Sequence, residues 1–230
     1  MSNHKTLASL YPFLQPSSKD SARVQAGLLE SVRMKSQDSR QVIQTFFDAQ
    51  AEKVLAAAMA IADMYQRNGR LFTMGNGGSS CDAAHIAVEF LHPVTTGRPA
   101  LPAVNLAADQ AMMTAVGNDV GFDHIFVRQL IAQGKSGDGL IGVSTSGNSE
   151  NIIRTFVKAK EMGLTTIGLT GGAGGAMATS SAIDHCLVVP TESIHRIQEC
   201  HVLIYHILWD LVHTLLADHR GASATKKDTP

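Results

Sequence analysis

Residues 139–170, GLIGVSTSGNSENIIRTFVKAKEMGLTTIGLT, contain a complete strand–helix–strand pattern. The apolar run GLIGVS predicts a buried strand, the stretch ENIIRTFVKAKEMG repeats apolar residues at helical spacing, and TTIGLT predicts the next strand. Short apolar strands joined by a helix are typical of parallel pairing, with helices covering both faces of the sheet. This segment therefore predicts an α/β fold.

The same alternation extends in both directions along the chain. Three further runs predict strands: LFTM (71–74), PAVNLA (102–107) and HCLVVP (185–190). Helical patterns follow the first two of these runs, and a long helix is expected from about residue 193 to 218. The fold class predicted is therefore a doubly wound, five-stranded parallel sheet with flanking helices.

The regions outside this alternation have a different sequence pattern. Residues 21–68 predict N-terminal helices with a break near residues 37–39, the second ending at Gly69. We expect a partly helical N-terminal extension over 1–40, the main domain over 41–220, and a disordered tail over 221–230. No function is predicted for residues 1–20.

Composition narrows the class of partner. The 230 residues are 44% hydrophobic and 17% charged, with a net charge of −1. Broad phosphate neutralisation on nucleic acid, or binding to an anionic membrane, would require a basic excess. The charged fraction lies below the usual value of about 25%, which favours surface covered by another subunit. We expect an oligomer with no nucleic-acid and no membrane partner.

Cysteine usage and the N-terminal sequence favour the cytoplasm. The three cysteines, Cys81, Cys186 and Cys200, show no C-x-x-C spacing, so neither a disulfide framework nor a zinc ribbon is predicted. The first residues lack the pattern of a signal peptide. No run approaches the roughly 20 apolar residues of a membrane span.

Two loops that follow predicted strands could bind an anion. Residues 144–149, STSGNS, offer four hydroxyls and a glycine before a helix, where unpaired N–H groups favour phosphate over an ordinary cap. Residues 75–80, GNGGSS, lack the third glycine of a dinucleotide fingerprint, and no Walker lysine occurs. The run GGAGGA (171–176) predicts a flexible turn rather than a third anion site.

Ionisable residues concentrate on two predicted helices. His85 and Glu89 are four residues apart and about 40° apart on a helix, a spacing suited to a shared metal or to proton transfer. In the last helix, His201 and His206 differ by about 140° and cannot face one site, whereas Gln198 and His206 differ by about 80°. A lone histidine there is more often a satisfied core residue.

Four motifs in this order resemble the bacterial sedoheptulose 7-phosphate isomerases (phosphoheptose isomerases) of the sugar-isomerase (SIS) domain superfamily. They are GNGGSSCDAAHIAVE, AVGNDVGFDHIF, GVSTSGNSENII and RIQECHVLIYHIL, and the resemblance runs from about Gln41 to Leu216. It implies a flavodoxin-like sheet, a cytoplasmic homotetramer, and interconversion of a ketose phosphate and an aldose phosphate.

The resemblance also implies the residues of the site. The sugar phosphate would be held by Asn76, Gly77, Gly78, Ser79, Glu89, Asn118, Asp119, Ser144, Thr145, Ser146, Ser149 and Gln198. One Zn²⁺ per subunit would be held by His85, Glu89, Gln198 and His206. Glu89 and His206 would be the acid–base pair, with Glu89 preferred, although a ligand of zinc is a poor free base.

Two departures leave the exact sugar open. The family usually has a basic residue near Pro93 and an aspartate at His195. The alternatives are therefore an isomerase of another sugar phosphate, or a non-catalytic SIS-domain protein of the type that associates with the bacterial replication initiator. The complete set of His85, Glu89, Gln198 and His206 favours an enzyme.

Overall fold

The computed structural model of the chain describes residues 21–225. Five strands carry the fold: β1 (Leu71–Gly75), β2 (Ala103–Asn105), β3 (Gly139–Ser144), β4 (Thr165–Gly171) and β5 (His185–Val189). The helices are α1 (Ser21–Gln66), α2 (Gly78–Leu91), α3 (Gln110–Asp119), α4 (Val127–Gln133), α5 (Glu150–Glu161), α6 (Gly175–Thr179) and α7 (Ile194–Thr225), with a 3₁₀ turn at Phe122–His124. Each predicted strand is confirmed, and its ends move by no more than two residues.

All strands pair in parallel in the order β2-β1-β3-β4-β5. The central strands β1 and β3 are buried along their whole length, as expected for strands covered on both faces. The strand order reverses direction between β1 and β3, which is the arrangement of flavodoxin-like sheets. The predicted fold class is therefore confirmed.

Two apolar cores sandwich the sheet. On one face α1, α2 and α7 contribute side chains such as Phe46, Ile86 and Ile204. On the other face α3 to α6 and the residues just before α4 contribute side chains such as Phe126 and Phe156. The covered sheet sends the loops at its carboxyl edge to the surface, where they can bind a ligand.

The first helix contains no break at residues 37–39, so that prediction was wrong. Helix α1 is continuous over 46 residues. Polar residues in this stretch are compatible with a helix because they lie on an exposed surface and include neither Gly nor Pro. The helix ends in a Schellman motif: Gly69 N–H bonds Met64 O, Asn68 N–H bonds Tyr65 O, and Asn68 has a φ of 60°.

The last helix is longer than predicted. It reaches Thr225 and so includes five residues of the segment predicted as a disordered tail, while 226–230 lie outside the described residues. By length and composition alone, Ile194–Ala217 would suffice to cross a membrane, which the sequence reading missed. Half of that window is buried inside the fold, so its length and composition are weak evidence of a membrane span.

Contacts divide the chain into two compact units between Asp38 and Ser39. In the first unit the described residues form the start of α1, which exposes Val24, Leu28 and Val32. The second unit contains the sheet and its helices. The proposed domain boundaries at 40 and 220 remain predictions, and residues 1–20 lie outside the described residues.

Candidate active site

The loop after β3 gathers hydroxyl groups at the carboxyl edge of the sheet. Ser144 Oγ lies 3.2 Å from Ser149 Oγ and accepts a hydrogen bond from Gly147 N–H. Ser149 is the N-cap of α5, yet its side chain makes no capping bond. With Ser146 exposed and Thr145 half-buried, the loop presents hydroxyls beside a helix N-terminus, an arrangement that suits an anion.

A reciprocal amide pair joins the loops that follow β1 and β3. Asn76 Nδ2 donates to Asn151 Oδ1 and Asn151 Nδ2 donates to Asn76 Oδ1, each at 2.9 Å. Asn151 is almost fully buried. The two loops lie at the point where the strand order reverses, the usual ligand position in such sheets. Sequence reasoning missed Asn151, although an amide in the first turn of this helix was a visible clue.

The glycine run at 171–176 bonds to the loop that follows β3. Gly171 N–H bonds Thr145 O, Met177 N–H bonds Gly147 O, and Ala176 N–H bonds Asn148 Oδ1. At Gly147, where φ is +66°, a Cβ would overlap the backbone of this run. The predicted turn is therefore confirmed at residues 172 and 173, and its flexibility stays a prediction. The loops that follow β3 and β4 line a cavity of about 420 Å³, and Glu192 also lines it.

His85 and Glu89 lie side by side on α2. His85 Nε2 is 3.0 Å from Glu89 Oε1, as the i,i+4 spacing predicts. The Glu89 side chain is 19% exposed and the His85 side chain is 41% exposed. The pair therefore sits at an accessible edge of the core rather than on a fully solvated face.

His206 of α7 completes a triad with these residues. Its Nε2 lies 4.0 Å from Glu89 Oε1, and its ring centroid is 5.0 Å from that of His85. One donor atom from each of the three residues lies within 4.8 Å of the other two. The structure thus brings His85, Glu89 and His206 together from two helices.

The triad fits a zinc ion by its chemistry and spacing. Imidazole nitrogen and carboxylate oxygen are common zinc ligands, with bonds of about 2.0–2.2 Å that place tetrahedral donors about 3.3 Å apart. The His85–Glu89 separation of 3.0 Å would widen slightly, and the His206–Glu89 separation of 4.0 Å would contract by less than 1 Å. Rotation of partly exposed side chains supplies such a movement, so the donor set can hold the metal.

Several of the remaining predicted residues lie at the start of α2. Gly77, with a φ of +54°, precedes α2, and a Cβ built on Gly78 would overlap the Gln198 amide. Ser79 is buried in the first turn of α2. Gln198 therefore covers the start of α2, and no described contact joins it to His206.

Asn118 and Asp119 are the last two residues of α3. They form the exposed end of α3 instead of a turn, and Asn118 Nδ2 donates to Asp119 Oδ1 at 2.8 Å. Among the described residues, no hydrogen bond or ion pair links them to the triad or to the loop at residues 144–149, called the serine loop below. The two departures from the family are also visible: Pro93 is half-buried in the loop after α2, and His195 is exposed at the start of α7.

Two buried ionisable groups lie near the site. His201 is fully buried, and its Nε2 lies 3.2 Å from Thr170 O, which confirms that it does not face His206's site. Burial lowers the pKa of His201 to about 4. Burial raises the pKa of Asp82 to about 6, while His85 opposes the shift. The sequence reading missed Asp82, an acid within the otherwise apolar face of α2.

Two further residues that the sequence reading missed touch the triad from α7. Tyr205 Oη lies 2.7 Å from His85 Nδ1, and Trp209 Nε1–H donates to Glu89 O at 2.8 Å. Burial raises the pKa of the Tyr205 hydroxyl, and the carboxylates of Asp82 and Glu89 raise it further. Tyr205 therefore keeps its proton at neutral pH. The position of Tyr205, one residue before His206, was the available clue.

Comparisons with known proteins agree with this geometry. A family model described as SIS domain matches residues 36–171. A phosphoheptose isomerase from Aneurinibacillus thermoaerophilus is 47% identical over 150 residues, covering 65% of this chain and 75% of that protein. One from Sulfurimonas denitrificans is 42% identical over 176 residues, covering 76% of this chain and 89% of that protein. The solved structure of a phosphoheptose isomerase from Francisella tularensis has a TM-score of 0.77 and 35% identity, covering 81% of this chain and 98% of that one.

Proposed function

Because this chain belongs to the phosphoheptose isomerase family of SIS-domain proteins, we propose that it converts sedoheptulose 7-phosphate into D-glycero-D-manno-heptose 7-phosphate. This reaction is the first step of nucleotide-activated heptose biosynthesis. The observation that carries the proposal is the triad of His85, Glu89 and His206, assembled from α7 and from α2, the helix that follows the β1 loop. A protein that only bound sugar phosphate would need the serine loop but not this triad.

The substrate requires a site with two separate poles. The phosphate of sedoheptulose 7-phosphate is on C7, whereas the reacting carbonyl is C2, at the other end of the sugar chain. The serine loop suits the phosphate, and Asn151 supports it by fixing the adjoining β1 loop through Asn76. His85 lies seven residues into α2, about 10 Å of helix rise from Gly78. His85 is therefore well separated from the β1 loop, as a site with two poles requires.

The chemistry at the second pole is a proton transfer. Isomerisation moves a proton between C1 and C2 through an enediol, which needs a base, an acid and stabilisation of the developing oxyanion. Glu89 would remove and return the carbon-bound proton, and His206, 4.0 Å away, would serve the oxygen atoms. Partial burial of Glu89 keeps water from competing for this proton.

Zinc would be held by His85, Glu89 and His206, with Gln198 as the fourth residue the family implies. When bound, the ion would supply Lewis-acid polarisation of the substrate oxygens. Glu89 cannot be a tight metal ligand and a free base at the same moment. We therefore assign its carboxylate mainly to proton transfer. The protein would act in the cytoplasm as a homotetramer.

The first experiment measures aldose formation from sedoheptulose 7-phosphate by purified protein, before and after chelation, and after zinc is added back. Turnover that falls and recovers supports a zinc-dependent isomerase, while turnover indifferent to chelation removes zinc from the mechanism. Absence of turnover with zinc present contradicts the heptose assignment. Other ketose phosphates would then be assayed, because Pro93 and His195 depart from the family pattern near the sugar.

Glu89→Gln tests the acid–base assignment directly. The amide keeps the shape of the side chain but cannot accept a proton, so we expect kcat to fall by about 10²- to 10⁴-fold. Binding of the sugar phosphate, measured by calorimetry, should stay within a few-fold of wild type because the serine loop is untouched. Glu161→Gln, an exposed glutamate paired with Lys158, is the matched control. Retained turnover in Glu89→Gln would reject the assignment.

A further inference from the structure

Helices α2 and α7 meet in a parallel, in-register seam beside the triad. Tyr205 meets His85 and Trp209 meets Glu89, and each pair is 120 residues apart in sequence. Gln198 lies over Gly78 with the same separation. The contacts advance together, so the two helices run in the same direction here. Tyr205 is seven residues, or two helical turns, beyond Gln198, which places both on the face of α7 that looks at α2.

We infer that Tyr205 is a positioning residue, which holds the His85 ring so that its Nε2 faces Glu89 and His206. The inference rests on the proposed function, since a fixed ring serves the metal and the proton transfer only if the triad performs them. Tyr205 itself would neither bind the metal nor transfer the proton. It acts through Nδ1, the atom of His85 on the opposite side of the ring from the triad.

The hydroxyl of Tyr205 suits this role because it can both donate and accept. With Nε2–H of His85 directed at the Glu89 carboxylate, Nδ1 is an acceptor and Tyr205 donates to it. With Nε2 binding a cation, Nδ1 carries the proton and the same hydroxyl accepts it. A carbonyl or carboxylate partner could satisfy only the second state. Tyr205 therefore keeps the ring orientation in both states of the site.

Packing prevents the hydroxyl from moving away. Tyr205 is 2% exposed, and its ring centroid lies 5.2 Å from that of His85 and 4.9 Å from that of His206. The aromatic ring thus packs against both histidines, while the hydroxyl sets the direction of one of them. Replacement by phenylalanine removes the second contribution and keeps the first.

The experiment compares Tyr205→Phe with Tyr65→Phe, a matched loss of a buried tyrosine hydroxyl that bonds Pro102 O instead. Zinc affinity is measured on metal-free protein by competition with a chromophoric chelator, and no substrate is present. We expect Tyr205→Phe to bind zinc about 10- to 100-fold more weakly, the usual effect of losing such a partner of a ligating histidine. Tyr65→Phe should bind zinc as wild type does.

A kinetic measurement separates positioning from general damage to the fold. In Tyr205→Phe we expect kcat to fall at limiting zinc and to recover as zinc is raised, while KM for the sugar phosphate stays unchanged. A loss that excess zinc does not rescue, or zinc affinity equal to wild type, overturns the inference, as does a wild-type protein that binds no zinc. A wild type that binds zinc but leaves sedoheptulose 7-phosphate unchanged contradicts the proposed function alone, because the affinity comparison remains valid.

Discussion

At the scale of single residues, the candidate site is held by contacts within one helix and by contacts between elements. His85 and Glu89 pair at 3.0 Å because they are four residues apart on α2. The contacts of Tyr205 with His85 and of Asn76 with Asn151 join residues 120 and 75 positions apart. No local pattern encodes such separations, because they depend on how helices pack across the sheet.

His201 should make stability depend on pH. Burial lowers its pKa from 6.5 to about 4, so the folded protein binds fewer protons than the unfolded chain between these values. The stability that the neutral ring contributes is complete above pH 6.5 and is lost as the pH falls through 4. Between pH 7 and pH 5 this loss is about 2 kcal/mol.

The test replaces the ring with a side chain that does not titrate. In His201→Gln the amide can still donate to Thr170 O, and we expect its free energy of unfolding to fall about 2 kcal/mol less than that of wild type between pH 7 and pH 5. Urea unfolding at several pH values gives this difference. His92→Gln, which removes an exposed histidine, should keep the wild-type slope. Equal slopes for His201→Gln and wild type would show that His201 is not buried in its neutral form.

At the scale of elements, strand positions were predictable and the behaviour of polar or glycine-rich segments was not. Strand β3 matches its predicted limits, Gly139–Ser144, because a buried parallel strand is a continuous apolar run. The break predicted near residues 37–39 is absent since exposed polar residues do not end a helix. The run at 171–176 makes bonds to Thr145 and Asn148 that are invisible in its own sequence.

The amide pair Asn76–Asn151 should couple the β1 loop to the β3 loop. Asn151→Ala leaves the Asn76 amide without its two bonds in a poorly solvated position, which costs about 1–3 kcal/mol of stability. We expect KM for the sugar phosphate to rise about tenfold, an effect of ~1.4 kcal/mol, with a smaller change in kcat. Thermal unfolding and steady-state kinetics measure the two effects.

A double-mutant cycle isolates the coupling. If the pair acts as a unit, Asn76→Ala combined with Asn151→Ala should be less damaging than the sum of the single changes, by about 0.5–3 kcal/mol. Strict additivity would mean that the two amides contribute independently and that the loops are not joined through them.

At the scale of the whole molecule, the sequence predicted the fold class but not the position of every site residue. Alternating strands and helices sufficed for a parallel sheet, while the order β2-β1-β3-β4-β5 came only with the family resemblance. Asn118 and Asp119 show the limit: the motif around them is part of the resemblance, yet they lie exposed at the end of α3. A motif shared with a family shows common ancestry, whereas the distance of its residues from the site depends on how the helices pack.

The proposed tetramer gives the exposed apolar residues of α1 a role. Val24, Leu28 and Val32 recur every four residues and form one stripe, and Leu28 and Val32 are each 64% exposed. Apolar side chains in a stripe at this exposure are typical of an interface with another chain. We expect the wild-type protein to sediment as a tetramer, and Leu28→Glu combined with Val32→Glu to sediment as a smaller species.

A charge-matched variant makes this prediction specific. Ala26→Glu combined with Arg33→Gln changes the net charge by the same −2 on the opposite side of the helix, and should remain tetrameric in sedimentation velocity at the same concentration. Dissociation of both variants would indicate a general effect of charge or of helix stability, not of the stripe. A wild type that sediments as a monomer would contradict the tetramer itself, and a double glutamate variant that stays tetrameric would place the subunit interface elsewhere.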